Sequence, residues 1–123
     1  MNFGELIDRV LRPHEHANCA HRGRELSIGE QATNDLALVF RELATNAAKY
    51  GSLSTPDGRI DLTWRHDARL TLRWAESGGP PVTAPTRRGF GSLVIERIIG
   101  QLDGKVHFDW LATGLVCEIS VRA

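Results

Sequence analysis

This sequence is short of several things, and each shortage removes a class of protein. It has only two cysteines, Cys19 and Cys117, with no CxxC pair and no histidine beside either at metal-ligand spacing. That excludes a disulfide framework and a cysteine-built metal centre, and it reads as reduced, partly buried thiols of a cytosolic protein, with a catalytic cysteine as the weaker alternative. No run approaches the roughly 20 apolar residues of a membrane span. The first residues, "MNFGELIDRVLRPHEH", break their apolar pattern with acids and lack a signal-peptide core, so a soluble, cytoplasmic chain is expected. Net charge is also missing: 15 basic and 15 acidic residues cancel. Binding to nucleic acid or a membrane surface by bulk charge is therefore not expected, although a local cluster can still hold phosphates.

Two familiar nucleotide motifs are absent too. "GQLDGKV" is one residue short of a P-loop, with Val106 where a magnesium-binding Ser or Thr belongs. Gly89 and Gly91 have no third glycine at Val94, so the dinucleotide fingerprint fails. Any phosphate site must use another architecture. There is no internal repeat or interdomain linker, and 123 residues suit one domain that buries about two-thirds of its unfolded surface.

What is present is a clear alternation of elements. Phe3, Leu6, Ile7, Val10 and Leu11 recur at helical spacing until Pro13. "AHRGRELSI" reads as a short strand. Ser27 followed by Glu30 resembles a capping box, and Leu36, Val39, Phe40, Leu43, Ala47 and Tyr50 carry an apolar stripe to a Gly51 cap. "RIDLTWRH" and "RLTLRWAE" alternate as two strands of a hairpin turned at "DA", with Ile60, Leu62, Trp64, Leu70, Leu72 and Trp74 on one face. "SGGPPVTAPTRRGFG" has the composition and length of a functional loop such as a lid. The helix "SLVIERIIGQL" and a hairpin joined at Ala112 and Thr113 close the chain. The order predicts an α+β fold, a two-layer sandwich with helices on one face of a largely antiparallel sheet.

Three clusters carry candidate chemistry. In "RELATNAAKYG", Glu42, Asn46 and Lys49 project from one helix face at spacings of four and three. An internal Asn costs a helix roughly 0.6 kcal/mol relative to Ala. The face is either simply solvated or a magnesium and triphosphate site, in which one amide oxygen joins phosphate oxygens around a hard cation and Lys offsets charge. In "RWAESGGPPV", Glu76 precedes Gly78 and Gly79; this is either an ordinary strand exit or a carboxylate placed to accept the amino protons of adenine, with glycine admitting a flat ligand. In "GFGSLVIER", Gly89 and Gly91 precede a helix whose first N–H groups suit an anion, unless Ser92 merely caps a flexible approach.

In this order, "LALVFRELATNAAKYGSLS", "WAESGGPPV", "GFGSLVIER" and "TGLVCEISV" resemble the catalytic ATP-binding domain of sensor histidine kinases, of the HWE subgroup, over nearly the whole chain. Trp74 and Glu76 before Gly-Gly-Pro stand where most histidine kinases have Asp-x-Gly. The resemblance implies the GHKL ATPase fold shared with DNA gyrase and mismatch-repair ATPases. It implies an N-box helix over 28–51 after a helix and strand over 1–27, a hairpin over 58–76, an ATP lid over 77–91, a helix over 92–102 and a closing hairpin over 104–123. In it Glu42 acts near the γ-phosphate, Asn46 holds magnesium, Lys49 contacts phosphates and Tyr50 lies near base or sugar. Glu76 and Gly78 take adenine, Gly89 and Gly91 form the second glycine box, and Thr113 is a minor contact at the adenine end. Arg87 and Arg88 could reach phosphates or be solvated.

The implied partners are ATP with Mg2+, a histidine-bearing dimerisation domain and then a response regulator. The subgroup's His before the N-box Glu is Arg41 here. No phosphoacceptor motif is read at His14, His16 or His21, so a piece or stand-alone relative of a longer kinase is expected. The alternatives are a GHKL-type protein serine kinase and an ATP sensor that does not transfer.

Overall fold

A computed structural model of the chain describes residues 2–11, 18–23, 25–79 and 90–122. Helix α1 (Phe3–Leu11) leads to β1 (Asn18–Gly23), α2 (Glu30–Tyr50) and a 3₁₀ turn (Ser52–Ser54). Strands β2 (Arg59–His66) and β3 (Leu70–Ser77), helix α3 (Phe90–Gln101) and strands β4 (Lys105–Leu111) and β5 (Gly114–Val121) follow. The five strands form one sheet in the order β1-β2-β3-β5-β4. β1 runs parallel to β2, because α2 carries the chain back between them, and the other pairings are antiparallel.

The expected apolar faces meet in one core. All five stripe residues of α1 are buried, as are Leu36, Val39, Phe40, Leu43, Ala44 and Ala47 of α2. Ile60, Leu62, Trp64, Leu70, Leu72 and Trp74 face them from the central hairpin. Phe3 sits edge-on to Phe40 and against Trp64, and Phe40 stacks on Trp74 with centroids 6.3 Å apart. Alternate residues such as Arg65, Arg73 and Glu118 are exposed, which leaves the other face of the sheet polar.

Four local expectations change. The first strand lies at Asn18–Gly23 rather than Ala20–Ile28. Its parallel register sets Cys19 beside Ile60 and His21 beside Leu62. Ile28 is buried without belonging to the sheet: Ser27 bridges Asn2, and Leu26 O accepts the Phe3 N–H at 2.8 Å. The capping box does not form, since α2 starts after Gly29, with no side-chain cap bond. The β2–β3 loop has three residues, because Arg69 turns away to hydrogen-bond Ser120 Oγ and the Asp103 carbonyl. Finally, Ser77 still belongs to β3 and α3 begins at Phe90, so Gly91 and Ser92 are inside the helix rather than before it. The expected lid otherwise falls on 80–89, outside the described residues, as do Gly89, Arg87, Arg88, His14, His16 and the side chain of Tyr50.

Candidate functional site

The last residues of β3 turn a core strand into a polar site. Alternation that buries Leu70, Leu72 and Trp74 also buries the next residue on that face, and that residue is Glu76, only 5% exposed. A buried carboxylate must be hydrogen-bonded. Oε1 accepts the Ser52 backbone N–H at 3.1 Å and the Ser52 hydroxyl at 3.2 Å, and Oε2 accepts the Trp74 indole N–H at 3.0 Å. A carboxylate has about four acceptor positions. Three are taken by described residues, and among these none takes the fourth, on Oε2.

Bringing Ser52 this close requires α2 to end against β3, and glycine makes room. The Gly51 N–H closes the helix onto Ala47 O at 3.1 Å, but its φ of −115° is not left-handed. Gly51 is needed because a Cβ there would overlap Glu76 Oε1. On the far side of Ser52, a Cβ on Gly58 would overlap its carbonyl and one on Gly79 would lie 2.5 Å from its Cα. Gly78 has φ 75° and lends its carbonyl to the Thr55 hydroxyl at 3.2 Å. Gly114 has φ 146°, and its Cα abuts the Glu76 carbonyl so closely that a side chain would collide with it. Thr113, exposed in the β4–β5 turn, immediately precedes this contact.

Beside Glu76 on the core face, Cys117 pairs with Trp74 and is fully buried. Burial, with the Glu76 and Glu118 charges, pushes its thiol up to about 12, so it is a neutral, inert core residue. The Cys19 thiol is also raised, by burial.

The other candidates lie on the polar face of α2. Glu42 and Asn46 are half-buried and Lys49 is exposed. No hydrogen bond or ion pair ties any of the three side chains to another described residue. Asn46 lies four residues, about 6 Å of helical rise, before the end of α2 at Tyr50. Phe40, whose ring meets α1, is on the opposite flank, about 120° round the helix from Asn46. Glu42, Asn46 and Lys49 share one face of the C-terminal half of α2, whose end meets Glu76 through Gly51 and Ser52, Gly78 directly follows β3, and Gly91 is in the first turn of α3, which packs against α2. Among the described residues no three His, Cys, Asp or Glu side chains form a metal cluster. Sequence reasoning missed Ser52 and the contact role of Gly51, Gly58 and Gly114. A glycine with an ordinary negative φ beside a buried serine gives no local signal.

The sandwich of three helices on a five-stranded mixed sheet is the fold of histidine kinase catalytic domains. The histidine kinase domain of the Erythrobacter litoralis EL346 blue-light activated histidine kinase superposes with a TM-score of 0.78 at 13% identity, covering 97% of this chain and 58% of that one. The catalytic domain of histidine kinase ThkA, in a nucleotide-free form, gives 0.76 at 18% identity, covering 99% and 94%. In sequence, blue-light-activated histidine kinase 1 of Erythrobacter litoralis is 34% identical over 124 residues, which cover 95% of this chain and 34% of the relative. A blue-light-activated histidine kinase of Brucella ovis is 39% identical over 110 residues, 84% of this chain and 22% of the relative. No protein-family model matches. In fold this chain matches histidine kinase catalytic domains, in sequence it is similar to blue-light-activated histidine kinases, and it spans about a third or less of the curated relatives it matches. No helix among the described residues is long and apolar enough to cross a membrane.

Proposed function

We propose that this domain, of the HWE subgroup, binds Mg-ATP at the α2–β3 junction and presents the γ-phosphoryl group to a histidine on a separate dimerisation domain, from which it passes to a response regulator. The observation that carries the reading is Glu76: a buried carboxylate held by three donors, with a fourth acceptor position that no described residue takes, at the end of the helix that bears Glu42, Asn46 and Lys49. Glu76 accepts the adenine amino group, with Gly78 and Thr113 beside it, and Tyr50 is assigned to the base or sugar. The oxygens suit a hard cation shared with phosphates, an amide oxygen and a carboxylate that are both half-buried, while a lysine ammonium can offset phosphate charge; none of the three has a partner among the described residues. Asn46 would hold Mg2+, which supplies charge neutralisation to the phosphates. Lys49 adds positive charge, Gly91 contributes a backbone N–H group in the first turn of α3, Gly89 is assigned with it to the second glycine box, and Glu42 orients the incoming nucleophile. Phosphoryl transfer asks mainly for such alignment and charge compensation.

Calorimetric titration of Mg-ATP tests the site. Asn46→Ala is expected to weaken binding at least about tenfold, the scale of one lost charge-assisted contact; equal affinities would sink the assignment. Incubation with a histidine-bearing dimerisation domain and γ-labelled ATP tests the reaction. Acid-labile label on the partner supports histidine transfer, acid-stable label points to a serine kinase, and no label points to a sensor.

A further inference from the structure

Strand β4 ends the sheet, and the row of groups it presents there is nearly self-complementary. It pairs with β5 residue for residue from Lys105 to Leu111, without a bulge or a proline. A two-residue turn is closed by a hydrogen-bonded pair, here Leu111 and Gly114. Alternation from that pair turns the backbone groups of Lys105, His107 and Asp109 toward β5 and leaves those of Val106, Phe108 and Trp110 facing outward. Among the described residues no backbone group bonds to this outer edge.

An edge of this length without a bulge is a template for another strand. The helices do not close over it: Val106, Phe108 and Trp110 lie on the core side only half-buried, with the Phe108 and Trp110 rings stacked at 6.2 Å between centroids. Lys105, His107 and Asp109 stand exposed on the opposite side.

We propose that β4 docks the β4 of a second copy of this chain, antiparallel about a two-fold axis at Phe108, so that two five-stranded sheets become one. In that register every residue from Lys105 to Leu111 is matched. Phe108 meets Phe108, Val106 meets Trp110 on the core side, and His107 meets Asp109 on the polar side, the last two pairs each occurring twice. A neutral imidazole still has one N–H to give a carboxylate. Lys105 meets the exposed Leu111, along which its apolar stem can lie. An axis at His107 instead sets imidazole on imidazole and leaves Trp110 and Leu111 beyond the end of the second strand. An axis at Asp109 sets carboxylate on carboxylate. Because β4 runs toward the turn whose Gly114 abuts the Glu76 carbonyl, the two-fold sends the two Glu76 ends in opposite directions. Pairing leaves both α2–β3 junctions open and does not depend on what they bind.

Sedimentation equilibrium of this chain tests the docking. Between about 5 and about 500 µM the wild type is expected to pass reversibly from one copy toward two, as a small transient interface does. His107→Asp sets carboxylates against each other in both polar pairs and is expected to weaken dimerisation at least about tenfold. Adding Asp109→Lys to His107→Asp restores an opposite-charge pair in this register alone and is expected to bring dimerisation back to within about threefold of the wild type. Both side chains are exposed, so circular dichroism and urea midpoint should not move. In the wild type, hydrogen exchange read by NMR should slow with concentration at the Val106, Phe108 and Trp110 amides and stay constant at Lys105, His107 and Asp109.

A chain that remains monomeric to the top of that range overturns the proposal, as does dimerisation that His107→Asp leaves unchanged. Failure of the double variant to recover overturns the register. A dimer in which the three outward amides exchange as fast as in the monomer meets at some other surface, and the docking edge is refuted on the wild type alone.

Discussion

Gly51→Ala is the perturbation on which sequence logic and packing disagree in sign. At the end of a helix, with a φ of −115°, replacement of glycine by alanine ordinarily stabilises by about 0.4–1 kcal/mol through the unfolded chain. Here the added methyl would overlap Glu76 Oε1 and lie 3.1 Å from Ala47 Cα. The backbone cannot retreat, because the Gly51 N–H is bonded to Ala47 O at 3.1 Å and Ser52 is wedged behind it by Gly58 and Gly79. The carboxylate must move. A shift of roughly an ångström stretches the Ser52 bonds, now 3.1 and 3.2 Å, past hydrogen-bonding range.

Hydrogen bonds to a charged group are worth about 1.5–3 kcal/mol each, so two lost bonds less the entropic gain leave a net destabilisation of about 2–4 kcal/mol after partial relaxation. Gly100→Ala supplies the control: it lies within α3, nothing is within 4 Å of its Cβ position, and about 0.5–1 kcal/mol of stabilisation is expected. Urea unfolding measures both as shifts in midpoint at constant m. If Gly51→Ala were as stabilising as Gly100→Ala, the clamp on Glu76 would not be the reason for glycine at 51.

Other outcomes follow from the same geometry. Asn46→Ala should separate function from stability: it weakens Mg-ATP binding yet stabilises the domain by roughly half a kcal/mol, because the helix loses an unfavourable internal residue; a fall in urea midpoint would refute that division. Cys117 predicts a pH dependence. Its folded pKa of about 12 lies above the ordinary thiol value of 9.0, so between them the unfolded state releases the proton first and stability falls as pH rises, by up to about 1.4 kcal/mol per unit. Urea midpoints at pH 8 and pH 10 should drop for the wild type and drop less for Cys117→Ala.

What could be read from the sequence was what repeats. The α1 stripe, the α2 stripe and the alternation in β2 and β3 place side chains by period alone, and those residues form the core. The β4–β5 turn at Ala112 and Thr113 was legible for the same reason, being bounded by alternating runs. The errors lie where a distant partner decides. Ile28 alternates as if in a strand, but it follows a segment bridged to α1. Arg69 looks like the first residue of a strand until Ser120, 51 positions away, draws it into the loop. Ser52 is the largest omission. Its role depends on a carboxylate 24 positions away and on glycines from three separate loops, and no window of the sequence contains that arrangement.

Arg41 stands where the resemblance to the HWE subgroup calls for a histidine, and its position bears on whether the proposed site transfers phosphate or only senses nucleotide. Successive helical residues point about 100° apart, so Arg41 is turned off the face shared by Glu42, Asn46 and Lys49 and lies in line with Thr45 and Ala48. Arg41 and Thr45 are both exposed, whereas Glu42 is half-buried. A substitution on that side leaves Glu42, Asn46 and Lys49 in place. Arg41→Ala is therefore expected to change Mg-ATP affinity less than about twofold. Glu42→Gln should leave affinity within a few-fold while cutting label transfer to the partner histidine by about 100-fold, the usual scale for an orienting base. If Arg41→Ala weakened binding as much as Asn46→Ala, the guanidinium would have to reach the phosphates, and this division of the helix into two faces would be wrong. If Glu42→Gln left transfer intact, another group would have to orient the nucleophile.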